Sequence, residues 1–135
     1  MKQAKQVIVI RKDLKMRRGK EIAQGSHASC AFLVDGFKMG FFSRLLFLLF
    51  GKKIFSKAEQ DWMFNGSFKK ICVVVNSEDE LLQIKYKAYD KGLTCKPIID
   101  SGLTEFNDVP TLTCLAIGPH YDEDFVGVTD KLKLY

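Results

Sequence analysis

The residues best suited to chemistry lie near the start of the chain, at positions 11–31. The first half of this stretch is strongly basic, with cations at Arg11, Lys12, Lys15, Arg17, Arg18 and Lys20. A helix beginning near Gly19 would place its unpaired backbone N–H groups and the positive end of its dipole beside these cations. Such an arrangement binds anions, so the stretch is a candidate phosphate-binding site.

The same predicted helix separates two kinds of side chain. At about 100° per residue, Lys20, Gln24 and His27 fall within about 60° of one another. An ammonium, an amide and an imidazole on one stripe could stabilise charge, hold a substrate and transfer a proton beside a bound anion. The opposite side is expected to pack against the domain through Ile22, Ser26, Ser29 and Leu33. Basic runs are usually solvated and a lone helical histidine is usually structural, so a non-catalytic interpretation stays open.

A second candidate group follows a predicted strand in the last third of the chain. Asp100 ends that strand, and Thr104 lies in the polar turn at 100–105. Open α/β sheets place their sites at strand ends. There Asp100 could accept a proton or orient a base, and Thr104 could hold a water or a sugar hydroxyl. Aspartate and threonine are also common turn residues, so this motif is weak by itself.

Helices and apolar strands alternate along the rest of the chain. Apolar runs predict strands at 5–11, 69–76, 94–100 and 111–117, the last closed by Gly118-Pro119. The first is expected to be central and buried on both faces, and Pro97 is expected to place the third at an edge or at a bulge. Capping boxes predict helix starts at Ser56 and Ser77. The pattern indicates one α/β sandwich domain, residues 1–135, in which helices cover a small mixed sheet.

Composition favours a domain that needs no crosslinks. The chain has 135 residues, which is enough to bury a core without disulfides or metal. Its 21 Lys and Arg against 16 Asp and Glu give a net charge of +5. This positive charge is concentrated near the N-terminus, which favours a polyanionic partner. The cysteines have no spacing typical of zinc sites and are expected to be buried free thiols in a reducing compartment: Cys30, Cys72, Cys95 and Cys114. We predict a cytoplasmic protein with no signal peptide, metal or cofactor.

The segment 37–55 is unusually apolar, above all at 41–50. Its ten-residue centre cannot span a bilayer, which requires about 20 residues. Because Arg44 lies within it and Lys52 and Lys53 follow it, this predicted helix could bind a membrane surface or a protein partner. Burial against the domain or in an oligomer contact is the more ordinary expectation for such a helix.

Several collinear blocks together resemble the peptidyl-tRNA hydrolase family of archaea and eukaryotes. The similarity runs through residues 7–16, Gly19-Lys20, Ala23-Gln24, Ser26-His27-Ala28, Asp100 with Gly102 and Thr104, residues 116–119, and finally Val128-Thr129 with Leu132-Lys133-Leu134. The resemblance implies a three-layer α/β/α sandwich around a four-stranded mixed sheet. It also implies hydrolysis of the ester between a peptide and the 3′-terminal ribose of tRNA, and commonly a homodimer.

The resemblance also suggests roles for individual residues. The family's functional stripe matches Lys20, Gln24, His27, Asp100 and Thr104, and Gly66 with Lys69 matches the family's entry into the second strand. In the implied mechanism, a water activated by His27 or Asp100 attacks the ester, and Lys20 with backbone N–H groups stabilises the oxyanion. The tRNA backbone would be bound by Arg11, Lys12, Lys15, Arg17, Arg18 and Lys69.

The chain also departs from the family pattern. Leu103 stands where the family usually has arginine, Val73 lies near a usual second lysine, and Asp130-Lys131 replaces Gly-His. The segment 37–55 is longer and more apolar than the family's connection, which suggests an apolar helical insertion. Loss of the arginine would weaken a phosphate or carboxylate contact and could alter the rate or the substrate preference. The alternative, if Leu103 and the missing lysine disable turnover, is a catalytically silent tRNA- or RNA-binding module of the same fold.

Overall fold

A computed structural model describes residues 2–37, 41–50 and 55–135 of the chain. Its elements, in order, are β1 (Ala4–Arg11), α1 (Arg18–Phe37), α2 (Phe41–Phe50), α3 (Lys57–Gln60), β2 (Lys70–Val75), α4 (Glu78–Asp90), β3 (Cys95–Asp100) and β4 (Thr111–Tyr121). A π-helical turn extends α3 over Asp61–Asn65, and a 3-10 turn follows β4 at Asp122–Phe125. Within the described ranges, every helix is too short or too polar to cross a membrane.

The four strands form one mixed sheet in the order β2-β1-β4-β3. β1 runs parallel to β2 and antiparallel to β4, and β3 pairs antiparallel with β4. The predictions of a central first strand and an edge position for the strand with Pro97 are therefore confirmed. The edge strand also has a register shift between Ile98 and Ile99, which is the irregularity expected near a proline.

Helices cover both faces of this sheet. Successive side chains of a strand point to opposite faces. Val9 of β1 accordingly belongs to one apolar cluster with Leu81 of α4, and its neighbour Ile8 belongs to another with Ala28 of α1. This arrangement confirms the three-layer α/β/α sandwich around a four-stranded mixed sheet.

The face of α1 that packs on the sheet overlaps only partly with the predicted one. Of the four residues predicted to pack, Ser29 is buried and Leu33 packs on the apolar cluster that contains Phe32, whereas Ile22 and Ser26 are exposed. The helix also buries a row that was not predicted, at Gln24, Ala28 and Phe32, spaced four residues apart. An amide can occupy this row because its hydrogen-bonding groups are satisfied there.

The predicted helix starts are confirmed in slightly different forms. Ser56 Oγ accepts from the Glu59 amide at 3.2 Å, and the Glu59 carboxylate accepts from the Ser56 amide at 2.7 Å, which completes a capping box. Ser77 Oγ accepts from the Glu80 amide at 3.1 Å, but the Glu80 carboxylate accepts from Asn76 instead. Both serines therefore cap their helices.

The fourth strand continues beyond its predicted end. Gly118 and Pro119 were expected to close it, but the chain stays paired with β1 as far as Tyr121. Gly118 has a φ of +91°, and a Cβ atom there would lie 2.9 Å from the carbonyl oxygen of Lys5. Glycine thus lets β4 stay close to β1 where another residue would collide with it.

The prediction of four buried cysteines is wrong for two of them. All four are free thiols; Cys95 and Cys114 are buried, whereas Cys30 and Cys72 are exposed. Burial raises the pKa of Cys95 to about 12 and that of Cys114 to about 11, so both stay protonated. α1 packs mainly on β4, β3 and β1, which leaves Cys72 on the edge strand β2 uncovered on this face.

The predicted apolar helix at 41–50 is helical in the structure. Phe41, Phe42 and Leu48 are 76%, 77% and 78% exposed, so burial of these side chains against the domain was a wrong expectation. Residues 38–40 and 51–54, which include Lys52 and Lys53 of the predicted insertion, lie outside the described residues.

Candidate active site

The first turns of α1 meet the end of β3 through a lysine and a carboxylate. Lys20 Nζ lies 2.6 Å from Asp100 Oδ1 and also donates to Thr104 Oγ1 at 3.1 Å. The Lys20 and Asp100 side chains are only 14% and 10% exposed. Residues that are distant in the sequence thus form one cluster, because α1 lies across the β4–β3 half of the sheet.

Gln24 joins the same cluster one helical turn after Lys20. Its Nε2 donates to Asp100 Oδ1 at 3.1 Å, and its Oε1 accepts from Thr113 Oγ1 at 2.6 Å. Thr113 is fully buried on β4. Because the threonine hydroxyl fixes which way the amide points, Gln24 presents its NH₂ group to the carboxylate. Sequence reasoning missed Thr113; a hydroxyl within an otherwise buried strand was the available signal.

We expect Thr113→Val to loosen the cluster without changing side-chain volume appreciably. Oε1 of Gln24 would remain buried without its donor, which costs about 1–3 kcal/mol. Turnover should fall because the amide no longer holds Asp100, whereas Thr111→Val in the same strand serves as the control. Urea unfolding and steady-state kinetics would measure both effects. Wild-type stability together with wild-type turnover in Thr113→Val would show that this hydroxyl does not position Gln24.

The turn after β3 binds the other carboxylate oxygen. The amide of Gly102 donates to Asp100 Oδ2 at 3.0 Å. Gly102 has a φ of +84°, and a Cβ atom there would lie 2.5 Å from the carbonyl oxygen of Val109, so the turn needs glycine. A carboxylate has about four lone-pair sites. With three donors already present, Asp100 can accept one more hydrogen bond, for example from a water molecule.

These hydrogen bonds keep Asp100 ionised. The hydrogen bond from Lys20 is the main cause that lowers the pKa of Asp100 below its ordinary value, and the bonds from Gly102 and Gln24 act in the same direction. Partial burial opposes them. Asp100 is therefore ionised throughout the neutral pH range. It can accept a hydrogen bond or a proton, but it carries no proton to donate.

The lowered pKa of Asp100 predicts the acid side of the pH profile. An aspartate titrates at about 3.9 when unperturbed, so loss of activity through Asp100 protonation should occur only below that pH. A depressed pKa in the folded state stabilises the fold above the unfolded-state pKa, and this contribution disappears as the pH falls through the folded-state value. Single-turnover rates and circular dichroism should be recorded together. An acid limb near neutral pH in folded protein would assign the controlling ionisation to another group.

His27 lies on the same side of α1 but outside the cluster. Its exposed side chain borders a hollow lined by Pro97 and Ile98 of β3. Seven residues along a helix correspond to about 10 Å from Lys20. Among the described residues, His27 has no hydrogen-bond partner. The structure therefore brings together four of the five predicted catalytic residues and leaves His27 beside them.

Most of the predicted phosphate-binding cations are exposed, in the loop between β1 and α1 and at the first residue of α1. We call this set the basic rim: Lys12, Lys15, Arg17 and Arg18. Arg17 is 77% exposed, and its Nε donates to the Glu105 carboxylate at 2.8 Å. Arg18 is the first residue of α1. Cationic side chains therefore surround the helix end whose dipole also favours anions.

Two other predicted cations are placed differently. Arg11 is buried and binds Asp13 at 2.7 Å, Glu78 at 2.8 Å and the carbonyl oxygen of Leu112 at 3.0 Å. Because these acceptors engage its guanidinium, Arg11 joins β1, β4 and the start of α4 rather than facing solvent. The carbonyl of Lys69 accepts from the amide of Gln6 at 3.0 Å, near the opposite end of β1. Gln6 and Arg11 are five strand residues apart, which corresponds to about 16 Å. Lys69 therefore lies near the end of β1 that is distant from Arg11.

The cluster brings an ammonium, a carboxylate, an amide and a hydroxyl together, and sequence comparison identifies the family of the chain. The family model described as "Peptidyl-tRNA hydrolase PTH2" matches residues 4–135. A protein named peptidyl-tRNA hydrolase from Methanocaldococcus jannaschii is 41% identical over 130 residues, covering 96% of this chain and 98% of that protein. One of the same name from Methanothermobacter thermautotrophicus is 39% identical over 134 residues, with 96% and 98% covered. The chain therefore belongs to the peptidyl-tRNA hydrolase family PTH2.

A solved structure shares the fold at much lower sequence similarity. It is a protein of unknown function from Agrobacterium tumefaciens, 13% identical, with a TM-score of 0.52 over 100% of this chain and 99% of that one. This likeness concerns the architecture of the chain and not its chemistry.

Proposed function

We propose that this chain is a peptidyl-tRNA hydrolase, which cleaves the ester between a peptide and the 3′-terminal ribose of tRNA. Its family membership and the names of its relatives support this activity. The structural observation that carries the proposal is the contact of Lys20 with Asp100 and Thr104 beside the basic rim. A polyanion-binding surface next to a hydrogen-bonding cluster suits a substrate with a phosphate backbone and a scissile ester.

The proposed reaction uses water as the nucleophile. A water held by the ionised Asp100 would attack the ester carbonyl, and Asp100 would accept its proton as the carbon–oxygen bond forms. Lys20 and the Thr104 hydroxyl would donate hydrogen bonds to the oxyanion. Collapse of the tetrahedral intermediate would break the bond to the ribose oxygen, which takes up the proton. The products are tRNA and the carboxylic acid of the peptide, which releases its proton to solvent and becomes a carboxylate.

Gln24 and His27 have supporting roles in this proposal. Gln24 positions Asp100 through its hydrogen bond, while His27 is placed to contact a substrate group beyond the scissile ester. The proposed chemistry requires only water and residues of this chain, without a cofactor.

The basic rim is proposed to bind the tRNA backbone. Phosphate contacts from lysine and arginine position a nucleic acid without reading its sequence. Lys12, Lys15, Arg17 and Arg18 are exposed and suited to this role. Arg11 is assigned instead to holding the strands together, and Lys69 could contact tRNA only at a separate part of the surface.

Two of the positions at which this chain departs from the family pattern differ in their exposure to solvent. Leu103 is 78% exposed beside Thr104, so the change from the family's arginine alters the rim of the site. Val73 is only 4% exposed and packs in the main apolar cluster. Because the contacts of Lys20 and Asp100 are present despite both departures, we favour an active enzyme over a silent RNA-binding module.

We also propose that the protein acts in the cytoplasm, where translation produces peptidyl-tRNA, and that it works as a homodimer. The homodimer is suggested by the family resemblance. Sedimentation equilibrium at micromolar concentrations would test it, and a single monomeric species would reject it.

Release of N-acetylated amino acid from N-acetyl-aminoacyl-tRNA would test the activity. We expect multiple turnovers with purified protein, at equal rates with and without a chelator. Gel-shift binding of the same tRNA without release would instead establish the silent RNA-binding module. Chelator-sensitive release would contradict the proposed chemistry.

A further inference from the structure

A hollow follows the edge of the sheet and begins beside the candidate active site. β3 is an edge strand, and the hollow lies against its residues 95–98, with α1 on one side and Tyr89 of α4 on the other. Its volume of about 540 Å³ is within the range of about 300–1,000 Å³ that is usual for ligand sites. The first residue of α1 that lines it is His27, so the hollow starts one helical turn after the cluster.

The lining of the hollow on α1 continues the stripe of side chains that forms the cluster. At about 100° per residue, Ala31 and Val34 fall within about 40° of Lys20. Gln24 and His27 lie in the same arc. Along this stripe, ionic and hydrogen-bonding groups give way to small and apolar side chains at the hollow. The stripe therefore suits a substrate with a polar reacting bond and an adjoining part that is largely uncharged.

The edge of β3 offers main-chain hydrogen-bonding groups to the hollow. The amide of Gly118 on β4 donates to the carbonyl oxygen of Thr94 at 2.8 Å. Hydrogen-bonded pairs alternate along an antiparallel ladder, so Lys96 also turns its backbone groups toward β4. The backbone groups of Cys95 and Pro97 then point outward. Because proline has no N–H, the outward groups are one N–H and two carbonyl oxygens, which can bind an extended peptide as an added strand.

The positions of the basic rim and the hollow separate the two parts of a peptidyl-tRNA. Along α1, the cluster lies between the rim, which ends at Arg18, and the hollow, which begins at His27. The cations of the rim suit the phosphates of tRNA. The hollow is lined by Lys96 and Asp35, which pair with each other at 2.9 Å, so it has no such attraction for a polyanion. The peptide is therefore the part of the substrate that fits the hollow.

Both walls of the hollow have the length of a short extended peptide. From Lys20 to Ala31, α1 advances about 16 Å, and from Asp100 back to Cys95, β3 covers about 16 Å. An extended chain covers this distance in about five residues. The ester is at the carboxyl end of the peptide and Asp100 is at the carboxyl end of β3, so the bound peptide would run parallel to β3.

We propose that this hollow binds the peptide part of peptidyl-tRNA as an extended strand parallel to β3, with the third to fifth residues from the ester beside His27 and Ala31. The outward backbone groups of Cys95 and Pro97 hold the main chain of the peptide. Main-chain hydrogen bonds are independent of side chains, so the hollow accepts peptides of different sequence. This inference rests on the proposed hydrolase function.

Single-turnover cleavage of two substrates that differ only in peptide length tests this inference. The substrates are N-acetyl-alanyl-tRNA and N-acetyl-pentaalanyl-tRNA on the same tRNA, and the rate is followed over a range of enzyme concentrations. We expect half-maximal rate at an enzyme concentration about tenfold lower for the longer substrate, the effect of one or two net hydrogen bonds. The maximal rates should be similar, because the same ester is cleaved.

Ala31→Trp should remove the advantage of the longer substrate, because an indole ring would fill the hollow. The ratio of the two half-saturating enzyme concentrations should fall from about ten to about one. Ile22→Trp is the matched control: it adds the same ring on the opposite side of α1, at a residue that is 65% exposed, and should keep the ratio. Circular dichroism must show that the variants are folded. Ala31→Leu fills less of the hollow, should lower the ratio in part, and decides the test if Ala31→Trp is unfolded.

The inference is overturned if the wild type requires the same enzyme concentration for both substrates, if folded Ala31→Trp keeps the ratio, or if Ile22→Trp loses it equally. Absence of release from both substrates by folded wild type would reject the hydrolase function itself, and this inference with it. Conversion of a dimer to a monomer by Ala31→Trp, without a length effect in the wild type, would identify a second copy of the chain as the occupant and equally overturn the inference.

Discussion

Replacing Asp100 with asparagine is expected to lower the kcat for peptidyl-tRNA hydrolysis by about 100-fold or more, the usual effect of losing a general base. Asparagine keeps the shape of the side chain but cannot accept a proton from the attacking water. KM should change little, because the proposed tRNA contacts lie on the basic rim. Asp108→Asn is the matched control: it makes the same chemical change at an exposed position of the loop between β3 and β4.

Lys20→Ala should cause a loss of similar size, since one oxyanion donor contributes about 10²- to 10³-fold. The double variant Lys20→Ala/Asp100→Asn should be much less impaired than the product of the two single effects, because the two groups contact each other and serve one step. Stability must be measured alongside, because an unpaired Asp100 would be left largely buried at a cost of about 1–3 kcal/mol. Fully multiplicative losses in folded variants would place the two residues in separate steps.

Charge reversal on the basic rim should weaken substrate binding rather than chemistry. Lys12→Glu/Lys15→Glu is expected to raise KM about tenfold or more at low salt, with kcat at saturation nearly unchanged, because phosphate contacts position the substrate. Three or four such contacts in the wild type predict that log K falls with log salt concentration at a slope of roughly −2 to −3, and the variant should show a shallower slope.

The control for this effect is Lys87→Glu/Lys131→Glu, which changes the net charge equally at two exposed lysines elsewhere. It should alter KM far less. A flat salt response of the wild type, or equal weakening by both pairs of substitutions, would reject the basic rim as the tRNA contact.

The sequence predicted the sheet well because strand signals are local. The run Val7-Ile8-Val9-Ile10 indicates a strand buried on both faces, and the sheet places β1 at its centre. The end of β4 could not be predicted in the same way. Proline normally terminates a ladder, and only the close approach of Gly118 to β1 explains why the pairing continues.

The sequence predicted two separate groups of candidate site residues, one on α1 and one after β3, but it could not predict that they lie together. Lys20 and Asp100 carry recognisable chemistry, yet periodicity cannot show that their side chains meet. It also cannot show that Gln24 is buried, because that depends on Thr113 on another strand. The prediction that Arg11 binds phosphate failed to foresee its burial for the same reason, because the Glu78 carboxylate that accepts its hydrogen bond comes from a distant segment of the chain.

The central claim is that ester hydrolysis takes place at the contact between Lys20 and Asp100 and not at His27. Single-turnover cleavage of N-acetyl-aminoacyl-tRNA, with the enzyme in saturating excess, tests it most directly because binding differences then drop out. Lys20→Ala should be slower by about 100-fold or more, whereas His27→Ala should cleave at close to the wild-type rate. The opposite pattern, in which His27→Ala is inactive and Lys20→Ala is nearly normal, would contradict this account.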